Sequence, residues 1–148
     1  MEKGKLWIQI QGGVVVNNAS TAPVKVLIID DSNTIRRSAE LFLREAGYEV
    51  ILAEDGFDAL SKITDHEPQV IFVDIMMPRL DGYQTCALIK QNPRLKSTPV
   101  IMLSSKDGVF DRARGRLAGS DRYLTKPFTK EGLIEAVADY VKPAPTSS

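Results

Sequence analysis

A short apolar run that ends in two aspartates constrains the fold more than any other feature of this chain. Residues 26–29 are Val-Leu-Ile-Ile, and Asp30 and Asp31 follow directly. Four consecutive apolar residues without polar alternation are typical of a strand that is buried on both faces. Such strands occur in parallel sheets with helices packed on both sides. We therefore expect strands and helices to alternate along the chain.

The rest of the sequence continues this alternation. Strands are predicted at residues 26–29, 49–53, 70–73, 100–103 and 122–124. Helices are predicted at about residues 33–46, 57–64, 83–91, 109–118 and 129–141. Ser32 or Asn33 can cap the first helix, and Gly47 and Gly119 are suited to end the first and fourth. Each predicted strand is thus followed by a helix.

Five strand–helix pairs predict an α/β protein with a parallel sheet covered on both faces. Right-handed crossovers favour a flavodoxin-like, doubly wound sheet of five strands in the order 2-1-3-4-5, with five helices. The length of 148 residues suits one domain, which we place at residues 24–141. Residues 142–148 are predicted to be a disordered tail that leaves no room for an output domain. Residues 1–23 are either a disordered leader or an extra hairpin that turns at Gly12 and Gly13.

Charge and cysteine content limit the setting in which the protein works. Nineteen basic residues balance nineteen acidic ones, so no net charge favours nucleic acid or an anionic membrane surface. No apolar run approaches the roughly 20 residues of a membrane span, and the short apolar stretch at residues 6–10 does not resemble a secretory signal. The single cysteine, Cys86, cannot form an internal disulfide and is expected to be a packed or idle thiol. These features predict a cytoplasmic protein without membrane insertion.

Polar side chains follow the predicted strands at the end where ligands bind in open α/β sheets. Asp30 and Asp31 follow the first strand, Asp74 the third, Ser104 and Ser105 the fourth, and Lys126 comes shortly after the fifth. In the strand order 2-1-3-4-5 these strand ends are neighbours. We therefore expect three carboxylates, a hydroxyl and an ammonium group to share one crevice.

This set of groups suits phosphoryl transfer. Clustered carboxylates repel one another, and an all-oxygen site with few protein ligands is suited to Mg²⁺, which retains waters and binds phosphate oxygens. Asp74 stands alone after its strand and is the predicted nucleophile, while Asp30 and Asp31 are suited to holding the metal. Taken singly, each of these residues also has an ordinary explanation as a helix cap, a turn residue or a surface charge. Their convergence at one edge of the sheet is what favours a site.

Four segments resemble the receiver domains of bacterial response regulators, the family typified by CheY. They are VLIIDDS at 26–32, VDIMMPRLDG at 73–82, LSSK at 103–106 and YLTKPF at 123–128. The likeness extends from about residue 24 to residue 141, and the intervals of 30 residues from Asp74 to Ser104 and 52 to Lys126 also match. Within the family, residues 58–60 and 82–86 are most similar to the regulator of type IV pilus twitching motility.

The resemblance implies a function for each residue on the metal side of the site. Asp74 would accept the phosphoryl group. Asp31 would bind Mg²⁺ directly, Asp30 would act more through water, and the backbone carbonyl of Met76 would complete the protein ligands. Because only the carbonyl of Met76 would be used, a methionine there is compatible with metal binding, although its side chain can affect access of water to the phosphate.

The resemblance also implies a switch. Lys126 would contact the phosphoryl group, and its bond to Pro127 is expected to be cis. Ser104 would be the switch hydroxyl and Tyr123 the aromatic residue coupled to it. The implied partners are a histidine kinase or phosphotransfer protein and a downstream effector of the motility machinery. The protein would then be a signalling switch that catalyses only its own phosphorylation and dephosphorylation, and not an enzyme with other substrates.

Other functions fit the sequence less well. A phosphatase of the haloacid dehalogenase type would need an aspartate two residues after Asp74, where the chain has Met76. A nucleotide hydrolase would need a glycine-rich loop ending in Gly-Lys-Ser/Thr, and DNA binding would need an attached module. Residues 106–130 contain seven basic and three acidic side chains, which suits either an acidic partner or a solvated helix face. The main alternative is a receiver fold that serves as an interaction module without phosphorylation.

Overall fold

The computed structural model describes residues 22–105 and 109–141. The predictions for the leader up to residue 21 and for the tail at 142–148 lie outside these residues. Five strands alternate with five helices in the described part of the chain. In order, the elements are β1 (Lys25–Ile29), α1 (Asn33–Glu45), β2 (Glu49–Ala53), α2 (Gly56–His66), β3 (Val70–Asp74), α3 (Gly82–Gln91), β4 (Val100–Ser104), α4 (Val109–Leu117), β5 (Arg122–Thr125) and α5 (Lys130–Ala138).

All five strands are parallel and lie in the order β2-β1-β3-β4-β5, which confirms the predicted topology. In the register of the central strands, Ile29 of β1 is opposite Val73 of β3, and Asp74 of β3 is opposite Leu103 of β4. The carboxyl ends of these strands are therefore level with one another. This alignment places the residues that follow β1, β3 and β4 at a common edge.

The apolar runs alternate their side chains between two cores. Leu27, Ile71 and Val73 point to the face that α2 and α3 cover, where they pack with Ala59 and Cys86, among others. The opposite side of the sheet packs against α1 and α5 and includes Val26, Ile28, Phe72, Leu43 and Leu133. Because β1, β3 and β4 have helices on both sides, their sequences lack polar alternation.

Side-chain caps set helix ends that the periodicity predicted only approximately. Helix α2 begins at Gly56, one residue before the predicted start, because the Asp55 carboxylate accepts a hydrogen bond from the Asp58 amide at 2.7 Å. It continues to His66, two residues beyond the prediction. Helix α5 ends at Ala138 and not at residue 141, and the hydroxyl of Tyr140 instead donates to the carbonyl of Asp121 at 2.9 Å.

Cys86 is fully buried on α3, and its thiol lies 3.4 Å from the carbonyl oxygen of Ala118. Burial raises the pKa of this thiol to about 11, with Lys90 acting in the opposite direction. The prediction of a packed cysteine is confirmed.

A separate finding concerns membranes: within residues 22–105 and 109–141, no helix has the combined length and apolarity that a bilayer span requires.

Candidate functional site

Three carboxylates meet at the carboxyl edge of the sheet. Asp30 and Asp31 follow β1, and Asp74 is the last residue of β3. One oxygen of each lies within 4.8 Å of the others, a spacing that can hold a metal ion. Asp30 and Asp74 are buried, whereas Asp31 is exposed. The predicted convergence of these residues is therefore present in the structure.

Asp30 is fixed by contacts on three of its atoms. Its Oδ1 accepts the Ser32 amide at 2.8 Å, and its Oδ2 accepts the Lys126 ammonium at 2.9 Å. Its backbone carbonyl accepts a 2.6 Å hydrogen bond from the guanidinium of Arg36 on α1. The contact from Arg36 was not predicted. Arg36 lies one turn into an amphipathic helix, and nothing in the sequence indicates that its side chain folds back toward the end of β1. With both oxygens engaged, Asp30 is less available than Asp31 for direct metal binding.

Lys126 joins the two buried acids. Its Nζ lies 2.9 Å from Asp30 Oδ2 and 3.1 Å from Asp74 Oδ1. The Lys126–Pro127 peptide bond is cis, as expected, and the Lys126 amide donates to the Ser104 carbonyl at 2.6 Å. Burial acts to lower the pKa of Lys126, but its bonds to Asp30 and Asp74 outweigh this and raise the pKa above its ordinary value. The ammonium is thus charged and held between two carboxylates.

Asp74 is difficult to ionise in this environment. Burial, and then the nearby charge of Asp30, raise its pKa from 3.8 to about 6, although Lys126 and the Met76 amide oppose the change. The Lys126 ammonium therefore does not offset the combined effect of burial and of the Asp30 charge on Asp74. Since the ligands are hard oxygens and Asp31 is open to solvent, the donor set fits a small divalent cation.

The loop after β3 passes close to Asp74. The Met76 amide lies 3.4 Å from Asp74 Oδ1, and the Met76 residue is 68% exposed. The loop ends at Gly82, where an added Cβ would lie 2.3 Å from the Asp74 carbonyl oxygen. Only glycine therefore fits at the point where the loop passes the backbone of Asp74. Asp81 and Gln84 form a reciprocal capping box at the start of α3. The spacing Asp-x-x-Gln before an apolar segment was a signal for this cap.

Ser104 and Tyr123 lie on the neighbouring strands β4 and β5. Ser104 is the last residue of β4 and is buried, whereas Ser105 is exposed beyond the strand end. Tyr123 is partly buried opposite Met102, and the guanidinium carbon of Arg112 lies 5.7 Å from its ring centre. The structure places Ser104 at the predicted edge and Tyr123 one strand further. Their coupling stays a prediction.

An open cavity of about 410 Å³ adjoins the acidic cluster on the side of the β3–α3 loop. The charged residues that line it are Asp31, Asp81 and Arg114. The guanidinium of Arg114 stacks over the Tyr83 ring with 4.1 Å between its central carbon and the ring centre. The exposed member of the carboxylate cluster therefore faces a space large enough for solvent or a small anionic group.

Comparison with known proteins agrees with this fold. Residues 26–138 match the family described as the response regulator receiver domain, so the chain belongs to the receiver family of two-component signalling. Over 118 residues, it is 68% identical to Protein PilG of Pseudomonas aeruginosa. This alignment covers 80% of this chain and 87% of that protein. It is 39% identical over 112 residues to Response regulator MprA of Mycobacterium sp., covering 76% of this chain and 48% of MprA.

Solved structures give the same result. The chemotaxis protein CheY4 of Vibrio cholerae superimposes with a TM-score of 0.78 and 33% identity, covering 81% of this chain and 100% of CheY4. A second solved structure, from Chloroflexus aurantiacus, superimposes with a TM-score of 0.77 and 36% identity, covering 80% of this chain and 98% of that structure. The CheY-like resemblance and the flavodoxin-like fold predicted from the sequence are confirmed.

Proposed function

We propose that Asp74 is the phosphoacceptor of this receiver and that the phosphorylation requires Mg²⁺. A carboxylate oxygen of Asp74 attacks the phosphorus of a phosphohistidine, forming an O–P bond while the bond between phosphorus and the histidine nitrogen breaks. The observation that carries the proposal is the junction of Asp30, Asp31, Asp74 and Lys126 at one edge of the sheet. No other group of three His, Cys, Asp or Glu with metal-binding spacing occurs among the described residues.

The metal would be held by Asp31, Asp74 and the Met76 carbonyl, with Asp30 acting through water. Asp31 is exposed and can bind directly, whereas both oxygens of Asp30 already accept hydrogen bonds. A bound Mg²⁺ supplies positive charge against the transferring phosphoryl oxygens. Lys126 already contacts Asp74 and can retain one phosphoryl oxygen after transfer. The raised pKa of Asp74 supports this arrangement, because burial and the charge of Asp30 both disfavour the ionised form and a bound cation would offset both effects.

Phosphorylation would change the surface formed by α4 and β5. Ser104 would move toward the phosphoryl group, and Tyr123 would move inward behind it. Arg112, Arg116 and Tyr123 line a cavity of about 170 Å³ on this surface. Its positive charge suits an acidic effector, and a histidine kinase or phosphotransfer protein would supply the phosphoryl group. From the resemblance at residues 58–60 and 82–86, we place the pathway in pilus-based twitching motility or a chemotaxis-like control.

The phosphoacceptor can be tested by mass spectrometry of the intact protein. The wild-type chain, incubated with acetyl phosphate and Mg²⁺, is expected to gain the mass of one HPO₃ group, and EDTA is expected to prevent the gain. Asp74→Asn should gain nothing. Asp65→Asn, an exposed carboxylate on α2, is the matched control and should behave as wild type. A wild-type protein that never gains this mass would favour the phosphorylation-independent interaction module.

The pathway needs a separate experiment. In the source bacterium, deletion of the gene is expected to reduce the twitching zone, and the wild-type gene should restore it where Asp74→Asn does not. Full complementation by Asp74→Asn would contradict signalling through this residue. An unchanged twitching zone in the deletion strain would contradict the motility assignment while leaving the biochemical result intact.

A further inference from the structure

The β3–α3 loop contains a residue in an unfavourable backbone conformation. Arg79 has φ = 68°, in the left-handed region that residues with a Cβ rarely occupy. Proteins maintain such a residue where surrounding contacts determine the conformation, and these places are often functional. The same loop carries Met76, three residues earlier, whose amide contacts the carboxylate of Asp74. The contacts of Arg79 therefore bear on the geometry beside the acidic cluster.

Two contacts join Arg79 to the start of α2. Its guanidinium lies 2.7 Å from Asp55 Oδ2 and over the ring of Phe57, 5.5 Å from the ring centre. The other oxygen of Asp55 accepts the amide of Asp58 and caps α2. The Asp55 carboxylate thus belongs to the end of a helix that packs on the sheet. It offers a fixed point to which the loop is attached.

The end of the loop that leads into α3 is fixed independently of Arg79. Asp81 caps α3, and the Gly82 amide donates to the Ile75 carbonyl at 2.9 Å. Within residues 76–80, the Leu80 amide donates to the Pro78 carbonyl at 2.7 Å, and the Met76 amide contacts Asp74 Oδ1. The Arg79–Asp55 pair is the long-range ionic contact of this stretch. The buried side chain of Met77 and the packing of Leu80 beside Gly56 also hold the loop, and the Arg79–Asp55 pair adds to them an ionic contact with the start of α2.

We propose that Arg79 and Asp55 are positioning residues that hold the β3–α3 loop in the conformation required for Mg²⁺ binding. The inference rests on the proposed function, in which the carbonyl of Met76 is a metal ligand. The ion pair is exposed, with 65% of the Arg79 side chain accessible, so its contribution to stability is small. Its effect is expected in the metal affinity, since the pair selects one conformation of the loop before the metal arrives.

Titration of the 148-residue chain with Mg²⁺, followed by the amide NMR signals of residues 74–82, measures this effect without any phosphorylation. Arg79→Ala and Arg79→Gly are both expected to bind Mg²⁺ about fivefold more weakly, the factor that one exposed ion pair with a cation–π contact can supply. Thermal unfolding should separate the two variants. Glycine adopts positive φ freely, so Arg79→Gly should be the more heat-resistant of the two. If Arg79 contributes only to the stability of the loop, Arg79→Gly should recover both stability and metal affinity. That result would overturn the proposal.

Asp55→Asn tests the partner. Asparagine caps a helix as well as aspartate, so this variant removes the charge of the pair and retains the cap. It should match Arg79→Ala in metal affinity, and the double variant should lose no more than either single one. Arg94→Ala is the control, because Arg94 pairs at 3.7 Å with Glu67, another left-handed residue, at the opposite end of α2. Unchanged affinity in both Arg79 variants would overturn this inference alone, whereas a wild-type protein without Mg²⁺ binding would overturn the proposed metal site as well.

Discussion

Asp74→Asn is expected to stabilise the protein in the absence of metal. Asparagine has nearly the same shape as aspartate, and its oxygen can accept the hydrogen bonds that Asp74 Oδ1 receives from Lys126 and Met76. The substitution therefore removes a buried negative charge and retains the main contacts. Burial and the charge of Asp30 both disfavour that charge, which is why its removal should raise the free energy of unfolding.

The size of the effect follows from the pKa of Asp74. Its value is 3.8 in an ordinary environment and about 6 in the folded protein. Since one pKa unit corresponds to about 1.4 kcal/mol, ionised Asp74 lowers the free energy of unfolding by about 3 kcal/mol. The folded state binds the proton more tightly, so the wild-type protein loses this stability as the pH rises from about 4 to about 6. The gain from Asp74→Asn should be complete above pH 6 and nearly absent at pH 4.

Urea unfolding in EDTA at pH 7.5 and pH 4 measures both points. Asp65→Asn, on the exposed face of α2, is the control and should change the free energy of unfolding by less than about 0.5 kcal/mol at either pH. Added Mg²⁺ should stabilise the wild type more than Asp74→Asn, because the metal neutralises the charge that the variant lacks. The reasoning is refuted if Asp74→Asn is no more stable than wild type at pH 7.5, or if its advantage persists unchanged at pH 4.

Two further predictions concern Lys126 and Cys86. Lys126→Met leaves two buried carboxylates without their ammonium partner and should lower the free energy of unfolding by about 3 kcal/mol in urea. Lys130→Met removes an exposed pair with Glu45 and should cost less than about 1 kcal/mol, so equal losses would contradict the importance of burial. Cys86 should react slowly with iodoacetamide at pH 8 in the folded protein and rapidly in denaturant; fast native labelling, followed by mass, would contradict its burial and raised pKa.

The topology could be predicted from the sequence because each buried strand is a short apolar run bounded by turn residues. Residues 70–73 and 100–103, for example, have no polar position at which the strand could face solvent. Helix ends were less predictable, since they depend on side-chain hydrogen bonds. Asp55 determines the start of α2 by accepting the Asp58 amide, and periodicity contains no information about that contact.

The acidic cluster was predictable for a related reason. Once the strand order was known, the parallel register required Asp30, Asp31 and Asp74 to share one edge. The supporting arginines were not predictable in this way. Arg36 reaches back to the Asp30 carbonyl, and Arg79 reaches Asp55 across 24 residues of sequence. Both contacts depend on the direction of a long side chain and on the path of a loop, which neither spacing nor hydropathy determines.

The same electrostatic cost that destabilises the metal-free site favours its proposed chemistry. With all groups ionised, the three aspartates and Lys126 together carry a charge of about −2, which one Mg²⁺ neutralises. A phosphoryl group, at about −1.5 to −2, then restores negative charge where Asp74 alone had −1. Lys126 can follow this new charge because its ammonium already lies 3.1 Å from Asp74, and the Lys126 amide is bonded to the Ser104 carbonyl. A change at Asp74 is thus connected through Lys126 to the strand end that carries Ser104, and the surplus charge is what would drive the movement.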